Sequence, residues 1–117
     1  MSAAHIDYRE LTQRVSSDLA TLRTSVPAAL KAFNELGRAA TMPGALDTKT
    51  KELIALALGV AARCDACLGF HVQALVRLGV TRAELDETLA VAVYMGGGPS
   101  LMYAANAVNA FEQLSRA

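Results

Sequence analysis

Residues 48–78 run TKTKELIALALGVAARCDACLGFHVQALVRL, and nothing in them alternates with the period of a strand. Asp47 or Thr48 can cap a helix here, and that helix reaches about Ala62. Its second part, LIALALGVAA from Leu53 to Ala62, is apolar on every side, which predicts a central, fully buried helix. A second helix spans about Cys64 to Leu78 and stops at Gly79, a residue suited to the left-handed position after a helix.

The flanks continue the pattern. Thr81-Arg82-Ala83-Glu84 has the form of a capping box and opens a helix to about Met95, and Pro99 opens a last helix that runs to the end. Toward the N-terminus, Leu11, Val15, Leu19 and Leu22 mark an amphipathic helix from about Asp7 to Arg23. Ser25-Val26-Pro27 then offers a cap and a proline for a helix to about Ala40 that carries Leu30, Phe33 and Leu36, and Met42-Pro43-Gly44 turns the chain. There are no repeats, linkers or low-complexity tracts. The expectation is one all-α domain over residues 1–117, a bundle of about six helices.

At 117 residues the chain has room for one core and not two. Eleven basic residues balance eleven acidic ones, which argues against a nucleic-acid or anionic-membrane binder. Apolar residues make up 53 %, above the usual range of about 45–50 %. So greasy a small chain is expected to hide more than its own interior, and a homo-oligomer follows. Thr88–Phe111 lacks any charge for 24 residues, but Gly96-Gly97-Gly98-Pro99-Ser100 breaks it and Asn106 and Asn109 interrupt its second half, so two packed helices fit better than a membrane span. Met1-Ser2-Ala3-Ala4-His5 has neither a basic region nor an apolar stretch, so no secretory signal is expected, the protein is read as cytoplasmic, and His5 carries no signal of its own. In that compartment two cysteines point to reactive or metal-binding thiols rather than a permanent staple.

Those cysteines are Cys64 and Cys67, and His71 follows four residues after the second. On a helix the three side chains fall within an arc of about 60°. The same stripe continues through Leu75 and Leu78. Both thiols lie in the first turn, where unpaired N–H groups favour a thiolate. Glu52 is the fourth member: Ala55 and Gly59 on its side of the preceding helix are small enough to let another helix come close, and a carboxylate desolvated there needs a partner such as an imidazole. The implied chemistry is redox. A thiolate attacks an O–O bond and becomes a sulfenic acid, the neighbouring cysteine condenses with it, and an external dithiol resets the pair. Cys67, one turn from His71, is the expected attacking sulfur and Cys64 the resolving one.

Blander readings stand beside this one. The cysteines could be small buried core residues. A zinc site would lack a fourth ligand unless Glu52 or another subunit supplied it. Glu52 could be a solvated first-turn residue and Asp65 a helix-start acid that does nothing for a nearby thiolate. The Gly96–Gly98 run lacks the Lys-Ser/Thr of a phosphate loop and is read as a turn. Met42, Met95 and Met102, with Tyr94 and Tyr103, are expected in the core or in pocket walls.

The spacing Glu52, eleven residues, Cys64-x2-Cys67, three residues, His71 resembles the Glu-x11-Cys-x2-Cys-x3-His pattern of the alkylhydroperoxidase D-like branch of the carboxymuconolactone decarboxylase superfamily. Pro43-Gly44-Ala45-Leu46-Asp47 through Lys51-Glu52-Leu53 is similar to the segment leading into that fold's central helix, and Gly96-Gly97-Gly98-Pro99 to the turn before its last. The likeness spans about residues 33–114. It implies a helical fold assembled as homotrimers or homohexamers, and hydroperoxide reduction by the Cys pair with a Glu52–His71 proton relay. The reductant would be an external lipoamide- or thioredoxin-type dithiol, with no bound cofactor and no metal. Ala66 stands where the best-known members have a His, so a secondary proton carrier is absent. A thiol–disulfide adaptor for a separate peroxidase and a non-catalytic helical scaffold or small-ligand binder are the alternatives. The decarboxylase branch generally lacks the cysteine pair, so lyase activity on a lactone is the lesser expectation.

Overall fold

Side-chain oxygens set where several of the helices begin. The computed structural model describes residues 6–116, so residues 1–5, His5 among them, and residue 117 lie outside the described residues. Asp7 accepts a hydrogen bond from the Glu10 N–H at 3.1 Å and opens α1 (Tyr8–Ser25). Pro27 starts α2 (Pro27–Thr41) behind Val26, which makes no side-chain cap. Ser25, the expected cap, is instead the last residue of α1 and turns its hydroxyl back to the Thr21 carbonyl at 3.5 Å. Asp47 accepts from the Thr50 N–H at 2.7 Å and opens α3 (Thr48–Ala62). Two residues later the chain enters α4 (Asp65–Arg77). The expected capping box forms in full, Thr81 and Glu84 bonding each other's backbone N–H groups, and opens α5 (Arg82–Gly96). Gly97, at φ 73°, takes the chain into α6 (Gly98–Leu114) with Pro99 in its first turn. Among the described residues there are six helices and no strand. None of these helices is long and apolar enough to cross a membrane.

The core lies where α3, α4, α5 and α6 meet. Leu56 and Val60 of α3, Leu68, Val72 and Leu75 of α4, and Leu85 of α5 are sealed from solvent, closed on the far side by Ala104, Ala107 and Ala110 of α6. Each large side chain so buried is worth about 1.5–3 kcal/mol. α1 packs across α4 and α6. Gly69 makes this crossing possible: a Cβ there would stand 2.6 Å from Cγ2 of Thr12 and 3.4 Å from the Tyr8 ring.

The packing corrects the expected burial of α3 and of the methionines and Tyr94, and it leaves α2 bare. α3 is apolar all round but not buried all round, since Ile54 and Leu58 face outward, Leu58 with 64 % of its surface exposed. Among the described residues no helix lies over that side. No residue of α2 is buried, and Phe33 and Leu36 stand 69 % and 63 % exposed, because α2 touches only α1 and the start of α3. Met42, Met95, Met102 and Tyr94 stand on the surface rather than in the core; only Tyr103 packs against it. Leu75 is inside as its stripe predicts, whereas Leu78, past the end of α4, is 42 % exposed.

Candidate functional site

The joint between α3 and α4 is Arg63-Cys64. Arg63 takes the left-handed conformation (φ 56°, ψ 50°), which a residue with a Cβ adopts at a cost of about 1–2 kcal/mol. The Arg63 N–H donates to the Val60 carbonyl and the Cys64 N–H to the Gly59 carbonyl, both at 3.1 Å, which satisfies the end of α3 and turns the chain sharply. Cys64 is thereby left in an extended conformation as the N-cap of α4, one position outside the helix that its sequence suggested it would begin. Its sulfur accepts the Cys67 N–H at 3.2 Å, the place a serine or aspartate oxygen commonly takes.

Cap and third helical position face each other across one turn, so the two sulfurs come together. Cys64 and Cys67 form a disulfide, with Cα atoms 5.2 Å apart, and both residues are half-buried. α3 runs close beside them. Gly59 is buried against the pair, and a Cβ on it would lie 3.2 Å from Cβ of Cys67. The small residue noticed on the Glu52 side of α3 thus marks a close approach to the sulfur-bearing turn.

One turn beyond Cys67, Nδ1 of His71 lies 2.7 Å from Oε1 of Glu52. The carboxylate side chain is 12 % exposed and the imidazole 33 %. A carboxylate this far out of water needs a hydrogen-bond donor, and the ring supplies it. With Nδ1–H donating to Glu52, Nε2 is the nitrogen left with a lone pair, able to take a proton and return it. Glu52, Cys64, Cys67 and His71 therefore lie along one α3–α4 hairpin, as two bonded pairs. No group of three or more His, Cys, Asp or Glu side chains among the described residues is arranged to hold a metal ion.

One contact escaped the sequence. The Tyr8 ring is wholly buried, and its hydroxyl donates to Oδ1 of Asp65, the residue after Cys64, at 3.0 Å. Burial first, and the Asp65 charge second, push the Tyr8 phenol far above its ordinary value, so it stays a donor. The only local hint was a phenol at the start of an apolar stripe, since a buried hydroxyl demands a partner. Nothing in the intervening chain names residue 65.

The carboxymuconolactone decarboxylase family signature matches residues 27–110. A carboxymuconolactone decarboxylase family protein of Legionella pneumophila, solved in its apo form, superposes with a TM-score of 0.91 at 55 % identity, over 93 % of this chain and 97 % of that one. A Thermotoga maritima member, for which a role in the antioxidative response has been suggested, gives 0.79 at 31 % identity over 88 % of each. An uncharacterized protein of Cupriavidus necator is 39 % identical over 109 residues, 93 % of this chain and 96 % of its own length. The chain belongs to the carboxymuconolactone decarboxylase family.

Proposed function

We propose that this protein is a dithiol-dependent hydroperoxide reductase of the alkylhydroperoxidase D-like kind. The observation that carries the reading is a disulfide at the mouth of α4 with a Glu52-bound imidazole one turn behind it. In the reduced state Cys67 passes its proton to Nε2 of His71 and attacks the distal oxygen of the hydroperoxide. The O–O bond breaks, Cys67 becomes a sulfenic acid, and the alcohol leaves with the proton carried by His71. Cys64 attacks the sulfenic sulfur, water departs, and the disulfide seen here is the product. A lipoamide- or thioredoxin-type dithiol then supplies two electrons and two protons, meeting Cys64 and expelling Cys67 as a thiolate that His71 reprotonates. No bound cofactor enters this cycle, and a reducing cytoplasm is its natural setting.

The test is consumption of an organic hydroperoxide, tert-butyl or cumene, with dihydrolipoamide as reductant. Cys67→Ser is expected to abolish turnover, and full activity in that variant would end the peroxidase reading. Ala66 favours a second reading, a thiol–disulfide adaptor, because a His is missing next to Cys67; rapid exchange with dihydrolipoamide or thioredoxin without peroxide turnover is its signature. The exposed Phe33, Leu36, Ile54 and Leu58 support assembly into a homotrimer or homohexamer, since large apolar side chains left in solvent by one chain can be covered by another copy.

A further inference from the structure

Tyr8 does more than fill space. It is the largest fully buried side chain among the described residues, and its hydroxyl is spent on a carboxylate that adjoins the cysteine pair. We propose that Tyr8 is a positioning residue for the cysteine pair: by holding the Asp65 carboxylate toward α1, it limits the negative charge that Cys64 meets when the disulfide opens. This rests on the reading of Cys64 and Cys67 as a pair that cycles.

Tyr8 is itself immobilised. Its N–H donates to Oε1 of Gln113 at 2.7 Å, and the same amide donates back to the Ile6 carbonyl at 2.7 Å. The Tyr8 carbonyl accepts from the Thr12 hydroxyl at 2.9 Å, and that hydroxyl accepts from Nε2 of Gln73 on α4 at 3.0 Å. The ring rests where Gly69 has no Cβ. With the Tyr8 backbone tied to α6 and its ring buried against α4, the phenol holds one place for Asp65 to meet.

Asp65 and Cys64 share one helix start, and both are drawn to the same unpaired N–H groups. The Cys64 sulfur holds the Cys67 N–H. A carboxylate free to turn inward would compete for that donor and repel a thiolate, raising the pH at which the thiol ionises. Tied to Tyr8 it does neither. Other charges near Asp65 are Asp7, the cap of α1, with Glu10 and Arg14 of α1, which line the cleft it shares with Ile6 and Leu11, and Arg63 two residues earlier in the chain. Tyr103 of α6 adds a second phenol near Tyr8. Glu52 and His71, bonded to each other along the α3–α4 hairpin, are the remaining titratable pair of the site.

The step concerned is opening of the disulfide by a dithiol, which gives up two electrons and two protons, forms its own S–S bond and leaves two protein thiols. The experiment measures iodoacetamide reaction rates of the reduced full-length protein against pH in four versions: wild type, Tyr8→Phe, Asp65→Asn and the double variant. Tyr8→Phe is expected to raise the midpoint by about half a pH unit, through the unrestrained like charge. Asp65→Asn is expected to lower it, and Tyr8→Phe in the Asp65→Asn background to leave it unmoved. An unchanged midpoint in Tyr8→Phe overturns the proposal. So does an equal shift with and without Asp65, which would reduce Tyr8 to packing. A wild-type disulfide that excess dithiothreitol never opens overturns both this and the redox reading, whereas the expected midpoints without peroxide turnover would remove only the peroxidase activity.

Discussion

Gly59 and Glu52 are the α3 residues through which the site is built. A methyl group at Gly59 would press on Cβ of Cys67 at 3.2 Å and touch Cδ2 of Leu68 at 3.7 Å, so Gly59→Ala must push the first turn of α4 outward. The expected loss is about 1–3 kcal/mol of stability, the usual cost of overpacking, together with a changed rate of disulfide reduction. Urea unfolding and a dithiothreitol time course check both, and wild-type values in each would show that the contact is soft. Glu52→Gln keeps the shape of the side chain but removes the charge that fixes the His71 tautomer. Peroxide turnover is expected to fall by about 10²-fold, within the range for a lost acid–base contribution. An unchanged kcat would take Glu52 out of the relay. Cys64, Cys67 and His71 were legible because a helix puts positions three and four apart on one side. Glu52 was legible through its small neighbours and through the family spacing that links it to Cys64. Tyr8 and Asp65 were not, since 57 residues separate them and no local pattern spans that gap.

Among the elements, α1 is hydrogen-bonded to the first residue of α4 through the Tyr8 hydroxyl. The consequence is a pH dependence whose sign can be worked out. The folded protein holds the Tyr8 proton above the ordinary phenol value of 10, while the unfolded chain releases it near that value. The contribution is therefore complete below about pH 10 and declines as pH rises, by up to about 1.4 kcal/mol per pH unit, because the unfolded state then binds fewer protons. Unfolding of wild type and Tyr8→Phe across about pH 9–11 is expected to show the wild type losing its advantage of about 1 kcal/mol; parallel profiles would contradict this. Helix caps are a case where sequence serves well. Asp47 and the Thr81/Glu84 box act within four residues of themselves, and both formed as expected. The Ser25 cap did not, since α1 ran through it. α2 shows the limit: its apolar stripe is plain in the sequence, but a stripe does not say what will cover it.

At the level of the molecule, the outward sides of α2 and α3 leave large apolar side chains in solvent, as do α5 and α6 around Tyr94, Met95 and Met102. Phe33, Leu36, Ile54 and Leu58 are 45–69 % exposed, as apolar side chains at an interface between copies would be in a lone chain. The proposed homo-oligomer predicts a particle several times 12.3 kDa by light scattering at micromolar concentration. Leu58→Glu is expected to shift it toward monomer while circular dichroism stays helical. A wild-type monomer would refute the assembly. The sequence exposed the apolar excess but assigned it wrongly to the centre of α3, because an even distribution around a helix axis looks the same whether the cover comes from within the chain or from another copy.

The cysteine bridge closes a ring only four residues long, lying entirely within a cap and the turn it caps. A tether so short withdraws little freedom from the unfolded chain compared with one that joins distant segments. Opening it should therefore leave the architecture standing on its helices alone. In the proposed cycle such a bond can be made and spent on every turnover without asking the helices to rearrange.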